Sequence, residues 1–196
     1  MKITNVYFDT EFTELSLRGK LISIGMITDD GSAFYAEFDD FDKNSCSDWV
    51  KENVINNLCY NGNEEIDDRF VKSDNDIIMY DNSYKIKLCI IKWLEKIKEK
   101  TECDCIQFIS DVCHYDFVFL IDLFGTAFDL PDYVSPACYD INQDIANKRF
   151  VYKSMRAAFD ESRESILQEK RIEVKGIKHN ALYDAKVIKE LYHLYY

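Results

Sequence analysis

Asp9 and Glu11, separated by one residue, are the first carboxylates whose spacing could build a metal site. They follow a β-branched and aromatic run that is typical of a buried strand. Side chains two apart on a strand point the same way, so the two carboxylates would lie side by side. Like charges that close repel unless a cation lies between them, and Mg²⁺ and Mn²⁺ prefer oxygen ligands. Because the chain has 36 acidic residues, solvated charge at a strand end is the alternative interpretation.

Two further carboxylates stand near predicted helix starts. Asp116 follows a predicted strand and opens a helix predicted over 116–124, and Asp184 lies in the first turns of the last helix. Asp116 could instead only stabilise the positive end of its helix. Asp184 could be an exposed carboxylate on a helix face. Each acid joins the first pair only if the fold returns it to the end of the first strand.

His179 precedes Asp184 by five residues. Five residues on a continuous helix turn through about 500°, so the two side chains share a face only if His179 precedes the helix. Gly176 and its polar neighbours favour a loop there. A loop histidine beside a metal site can act as a general base near neutral pH. An ordinary surface histidine is the alternative.

The elements that must position these residues follow the order of a mixed sheet. A three-stranded antiparallel meander is predicted first, with an Asp-Asp-Gly turn between its second and third strands. Strands and helices then alternate, which indicates an α/β domain whose mixed sheet is covered by helices. The strands are predicted over 3–11, 20–28, 32–38, 104–109 and 137–141. The helices are predicted from Ser45 or Ser47 to about 58, and over 83–100, 116–124, 142–147, 161–171 and 180–195.

Two local features qualify this outline. Gly25 inside the second strand predicts a bulge or a close backbone approach. The polar segment 60–81 is interpreted as a surface insertion with a short edge strand near 77–79.

Composition sets limits on the class of protein. A chain of 196 residues with 47% hydrophobic residues suits one folded domain rather than disorder. A net charge of −12 opposes tight, non-specific binding of duplex nucleic acid, but allows an enzyme that handles a strand end through metal ions. No apolar run reaches the roughly 20 residues of a membrane helix, and no N-terminal signal is evident. We therefore expect no membrane partner and a cytoplasmic location.

The seven cysteines are expected to be reduced thiols, because no secretory context accompanies them. Cys103, Cys105, Cys113 and His114 lack the Cys-x-x-Cys spacing of zinc sites. Buried or half-buried thiols are therefore the favoured interpretation.

Three of these patterns together resemble the motifs of the DEDDh 3′-to-5′ exonucleases. The motifs are Asp9-x-Glu11, Tyr115-Asp116 and His179-x-x-x-x-Asp184. That group has a ribonuclease H-like fold and includes ribonuclease T, oligoribonuclease and polymerase proofreading domains. A closer resemblance, to a small bacterial and phage exoribonuclease branch, is carried by residues 8–12, 49–54, 115–118, 122–125 and 179–184.

One departure concerns the second motif. Asp111 stands where the family usually has Asn, so either Asp111 or Asp116 could face the site. The aromatic-Asp-Phe-Val-Phe-Leu context favours Asp116.

The resemblance implies a single exonuclease domain over 1–196 that removes nucleoside 5′-monophosphates from a single-stranded 3′ end. RNA or short oligonucleotides are the favoured substrates. Asp9, Glu11, Asp116 and Asp184 would hold two Mg²⁺ or Mn²⁺ ions, and His179 would accept the proton of the attacking water. A DNA-directed exonuclease of the repair or proofreading type, and a non-catalytic module that binds nucleic acid, are the alternatives. Relatives often pair, so a homodimer is possible.

Phe12 follows the acidic pair and would either stack on the terminal base or pack in the core. Ser23 and Gly25 are expected to border the same cleft, without assigned roles. Three basic residues would either meet phosphates or form a solvated face: Arg149, Lys153 and Arg156.

Overall fold

A mixed β-sheet with helices on both faces forms the body of the molecule. The computed structural model describes residues 1–60, 76–149 and 155–196. Within them the strands are β1 (Ile3–Phe12), β2 (Leu21–Thr28), β3 (Ala33–Phe38), β4 (Ile77–Asp81), β5 (Cys105–Ser110) and β6 (Tyr139–Asp140). Their order across the sheet is β4-β3-β2-β1-β5-β6. β1, β2 and β3 are antiparallel, whereas β4 pairs parallel with β3, β5 with β1, and β6 with β5. The predicted fold class, an antiparallel meander extended by parallel strands, is confirmed.

The helices follow the predicted order, with side-chain caps at several starts. Their bounds are α1 (Asp48–Asn53), α2 (Ser83–Thr101), α3 (His114–Phe124), α4 (Ile141–Arg149), α5 (Met155–Asp160), α6 (Arg163–Glu169) and α7 (Ala181–Tyr195). Ser47, Asn82 and Asn180 each accept a hydrogen bond from a backbone N–H in the first turn of α1, α2 and α7. Across the described ranges, none of the helices is both long and apolar enough to span a membrane.

Alternating side chains along β1 divide the core into two halves. Val6 and Phe8 pack with α2 and α3 on one face of the sheet, and Tyr7 packs with α7 on the other. Every residue of β2 is buried, because this central strand is covered on both faces. Since Asp9 and Glu11 continue the Tyr7 side of β1, they emerge on the α7 face at the end of the strand.

The predicted helix up to about residue 58 is wrong in its length. α1 ends at Asn53, and a 3₁₀ turn (Ile55–Asn57) follows it. The side-chain amide of Asn53 donates to the carbonyl of Trp49, and that of Asn57 donates to the carbonyl of Asn53, so both compete with the helical backbone bonds. Trp49 is 55% exposed and lies outside the apolar core, although its spacing with Val50, Val54 and Leu58 predicts one buried helix face.

Other boundaries differ by a few residues. β4 lies at one edge of the sheet, as predicted near 77–79, whereas residues 61–75 of the polar segment lie outside the described residues. α5 occupies a stretch for which the sequence predicted no element.

Candidate active site

Gly25 allows α7 to approach the end of β1. It pairs with Asp9 across the antiparallel ladder of β1 and β2. A Cβ at this position would lie 2.2 Å from the backbone nitrogen of Leu182 and 2.3 Å from the carbonyl carbon of Ala181. Only glycine therefore lets the start of α7 pack on the sheet here. The predicted close approach is confirmed, and it brings Asp184 near Asp9.

Asp116 reaches the same point from the first turn of α3. Its side chain is buried, and it accepts hydrogen bonds from Thr10 N at 3.0 Å and Thr10 Oγ1 at 2.7 Å. Ser110 Oγ at the end of β5 donates to its other oxygen at 3.2 Å. Since Thr10 stands between Asp9 and Glu11, these bonds hold Asp116 against the acidic pair. Thr10 and Ser110 were not predicted as supporting residues, although their places beside the predicted acids were visible in the sequence.

His179 lies before α7, as the loop prediction required. Its backbone is in the left-handed region, with φ 63°, and its N–H donates to Asp184 Oδ2 at 2.8 Å. Its Nδ1 lies 3.8 Å from Glu11 Oε1, and its ring packs edge-on against Trp49 at 5.1 Å. Ligand atoms of Glu11, His179 and Asp184 all lie within 4.8 Å of one another. The structure thus brings this histidine and two of the predicted acids to one place.

Burial, and for three of the four acids repulsion from their neighbours, raises the pKa values of the carboxylates. Burial, followed by repulsion from Asp116, Asp184 and Glu11, raises the pKa of Asp9 well above its usual value. Burial raises the pKa of Asp116 to about 6 and that of Asp184 to about 7, although hydrogen bonds to both oppose the shift. The pKa of Glu11 is raised by burial and by Asp184 and Asp116. A cluster with these properties would be stabilised by a bound cation.

The basic side chains that line the cleft are paired with other acids. Lys178 Nζ lies 3.0 Å from Glu164 Oε1. Arg163 binds Asp111 with two hydrogen bonds, Nε to Oδ2 at 2.5 Å and Nη2 to Oδ1 at 2.8 Å. Asp111 is therefore held by a guanidinium, and Asp116 is the acid that contacts β1.

The histidine has the opposite shift. Burial, followed by the nearby Lys178 ammonium, lowers the pKa of His179. Its imidazole is therefore neutral at pH 7, which is the form that can accept a proton.

These side chains line a cleft of about 790 Å³ that also borders Phe12. Phe12 stacks on Phe119 with ring centroids 4.8 Å apart, so it packs against the core and lines the cleft as well. Ser23 is fully buried, and α7 covers Gly25, so the expectation that these two border the cleft is wrong.

The basic residues outside the cleft are held by acids. Arg149 binds Glu161 and Glu169 at 2.5 and 2.8 Å, and Arg156 binds Asp160. Lys153 lies outside the described residues.

Comparison with known proteins identifies the family. The family model of the Rv2179c-like 3′-5′ exoribonuclease domain matches residues 4–195, and the chain belongs to this family. Two relatives from Mycobacterium tuberculosis strains, the 3′-5′ exoribonucleases MT2234.1 and Rv2179c, are 38% identical over 52 residues. That match covers 26% of this chain and 31% of each relative. The predicted resemblance to a 3′-5′ exoribonuclease family is confirmed.

Solved structures share the fold at low sequence identity. Pop2p of S. pombe, in a form with Mg²⁺ and Mn²⁺ bound, is 16% identical with a TM-score of 0.57, covering 96% of this chain and 81% of that chain. A 3′-exonuclease that recognises the histone mRNA stem-loop is 12% identical with a TM-score of 0.60, covering 97% and 80%. Cell-death related nuclease 4 is 11% identical with a TM-score of 0.62, covering 97% and 62%. These likenesses establish the ribonuclease H-like nuclease fold.

Proposed function

We propose that this chain is a single-domain, metal-dependent 3′-to-5′ exonuclease that acts on RNA. It would hydrolyse phosphodiester bonds at a single-stranded 3′ end, or in short oligonucleotides, and release nucleoside 5′-monophosphates. The observation that carries the proposal is the meeting of four acids and one histidine at the end of β1, in a member of an exoribonuclease family. The four acids are Asp9, Glu11, Asp116 and Asp184, and the histidine is His179.

The donor set fits divalent cations that prefer oxygen. The four acids are metal ligands in this proposal, because mutual repulsion and burial disfavour their ionised forms without a cation. Carboxylate oxygens suit Mg²⁺ or Mn²⁺, and S. pombe Pop2p, which has the same fold, binds both. When bound, two such ions supply positive charge for the reacting phosphate and lower the pKa of water.

The remaining residues transfer a proton or hold other side chains in position. His179 accepts the proton of the attacking water at an unprotonated ring nitrogen, because its lowered pKa keeps the imidazole neutral. Trp49 packs against this ring and limits its rotation. Thr10 and Ser110 donate to Asp116 and fix the direction of its carboxylate. Phe12 would stack on the terminal base from the cleft wall.

The experiment uses single-stranded RNA labelled at its 5′ end, and a DNA strand of the same sequence, with Mg²⁺ or Mn²⁺. Stepwise shortening from the 3′ end is expected, faster on RNA, with abolition in Asp9→Asn and Asp116→Asn. Asp132→Asn, a change at an exposed acid away from the cleft, is the matched control and keeps the wild-type rate. Full activity of Asp9→Asn would contradict the proposal, and faster cleavage of DNA would contradict the choice of RNA.

The proposal extends to a cytoplasmic location and to a homodimer, both carried over from the sequence expectations. Sedimentation of the purified chain tests the dimer, because a monomeric mass at micromolar concentration would contradict it.

A further inference from the structure

A second group of metal-ligating side chains lies between the start of α3 and β6. Cys113, His114 and Asp140 offer ligand atoms that all lie within 4.8 Å of one another. The thiol of Cys138 adjoins that of Cys113, so a second cysteine stands beside the group, and its S–H donates to the carbonyl oxygen of Tyr139 at 3.6 Å. The zinc pattern examined in the sequence shares Cys113 and His114 with this group, but its other two members, Cys103 and Cys105, lie at the opposite end of β5.

The sheet and one turn bring these four residues together. β6 pairs parallel with β5, with Ser110 opposite Asp140, so residues 138 and 140 lie beside the turn that leaves β5. Because they are two apart in an extended segment, Cys138 and Asp140 face the same side. Val112 has φ 52°, an uncommon conformation for a β-branched residue, and its N–H donates to Asp140 Oδ1 at 2.9 Å. This turn directs the next two residues toward β6.

Two of the potential ligands have atoms that are free to bind a metal ion. Asp140 Oδ1 accepts from the N–H groups of Val112 and Asn142, which leaves Oδ2 without a hydrogen bond from the described residues. The imidazole of the exposed His114 makes no hydrogen bond within the same part of the chain. Asp140 Oδ2 and the His114 imidazole can therefore bind a cation without breaking a hydrogen bond.

The donor types differ from those of the carboxylate cleft. Two sulfurs, one imidazole and one carboxylate suit Zn²⁺, whereas four carboxylates suit Mg²⁺ or Mn²⁺. Tetrahedral zinc bonds of about 2.0–2.3 Å hold neighbouring ligand atoms roughly 3.3–3.8 Å apart, so atoms that lie within 4.8 Å of one another need to approach by at most about 1.5 Å. Rotation of the side chains of Cys113 and His114 can supply that movement.

We propose that Cys113, His114, Cys138 and Asp140 form a structural zinc site that ties the start of α3 to β6. Four protein ligands complete a tetrahedral shell and leave no open position, which is the arrangement of structural rather than catalytic zinc. The site would brace the first turn of α3, three residues before Asp116. This proposal does not depend on nuclease activity.

Cobalt is the probe that separates this site from the carboxylate cleft. The full chain is titrated with Co²⁺ under a reducing agent and in excess Mg²⁺, which competes for the oxygen ligands. We expect thiolate-to-cobalt charge-transfer absorption and the strong visible bands of tetrahedral Co²⁺, saturating at one equivalent and erased by one equivalent of Zn²⁺. Carboxylates cannot produce the charge-transfer band. Its absence from the reduced wild-type chain would overturn the proposal.

Matched variants assign the ligands. Cys113→Ser combined with Cys138→Ser should lose the band, whereas Cys105→Ser, at the other end of β5, should keep it. His114→Ala changes an exposed side chain, so it tests the site even if the double variant fails to fold. For this variant we expect a lower affinity for Co²⁺, so that saturation needs more than one equivalent, and altered visible bands. A band that survives in the folded double variant, or a titration unchanged by His114→Ala, would overturn the assignment.

Discussion

Replacing Gly25 with alanine should disable the active site without touching any of its side chains. The new methyl group would lie 2.2 Å from the Leu182 nitrogen, whereas ordinary contacts begin near 3.4 Å. The obstructing atoms are backbone atoms of α7 and cannot rotate away, so the start of the helix must retreat by about 1 Å. Because α7 carries Asp184, that retreat moves one candidate metal ligand away from the others.

The two expected magnitudes follow from this displacement. Overpacking of this kind costs about 1–3 kcal/mol, and the rigid neighbours indicate the upper part of that range. For a chain of this size, each kcal/mol lowers Tm by about 2–4 °C, so a cost of about 2–3 kcal/mol corresponds to a decrease of roughly 4–12 °C. A misplacement of about 1 Å in a catalytic site can cost on the order of 100-fold in rate.

The assay compares kcat on 5′-labelled RNA with Tm, and the rates are measured well below the Tm of each variant. Gly31→Ala is the control, because Gly31 has φ 84° and a methyl group added there would meet no atom within 4 Å. Backbone strain should cost this variant about 1 kcal/mol and leave kcat unchanged. A Gly25→Ala protein that is folded and as active as wild type would refute the role given to the close approach.

Three further predictions concern the acids and the histidine. His179→Ala should lower kcat by about 10²–10⁴-fold and keep the rise of Tm with Mg²⁺; an unchanged kcat would contradict its role as base. In the same RNA assay, Asp111→Asn should remain active and Asp116→Asn should be inactive. An inactive Asp111→Asn beside an active Asp116→Asn would show that Asp111 is the metal ligand. The folded pKa values of Asp116, about 6, and Asp184, about 7, lie above the usual 3.8, so their stabilising contribution is full below pH 3.8 and lost as the pH rises through 7. The Tm of the metal-free chain should therefore fall between about pH 4 and pH 7, and Mg²⁺ should raise it more at pH 7 than at pH 5; a metal effect independent of pH would contradict this.

Local patterns account for much of what the sequence could predict. Short-range preferences made the meander and the main helices predictable. They are seen in the alternation of buried side chains along β1, the Asp-Gly turn after β2 and the apolar stripe of α2. Glycine is uncommon inside a strand, so Gly25 stood out in the sequence. A close approach of another backbone segment is one of the few reasons for a glycine there. The length of α1 could not be predicted in the same way. Two asparagine side chains donate hydrogen bonds to backbone carbonyls of this segment, and the spacing of apolar residues gives no sign of those bonds.

The surroundings of the site depend on long-range contacts that have no local pattern. Arg163 binds Asp111 across 52 residues of sequence, and nothing near either residue indicates the pair. The motif resemblance selected the acids and the histidine, but it did not indicate that Thr10, on the opposite side of β1, holds Asp116 in place. Cys138 adjoins Cys113 only because β6 pairs with β5, and two residues of pairing leave little signal in the sequence.

The most direct test of the central claim is anomalous diffraction from a crystal soaked in Mn²⁺ and a nucleoside 5′-monophosphate. The proposal predicts two manganese peaks within coordination distance of Asp9, Glu11, Asp116 and Asp184, with the phosphate beside them and His179 facing it. Manganese bound elsewhere, with these four carboxylates free of metal, would contradict it.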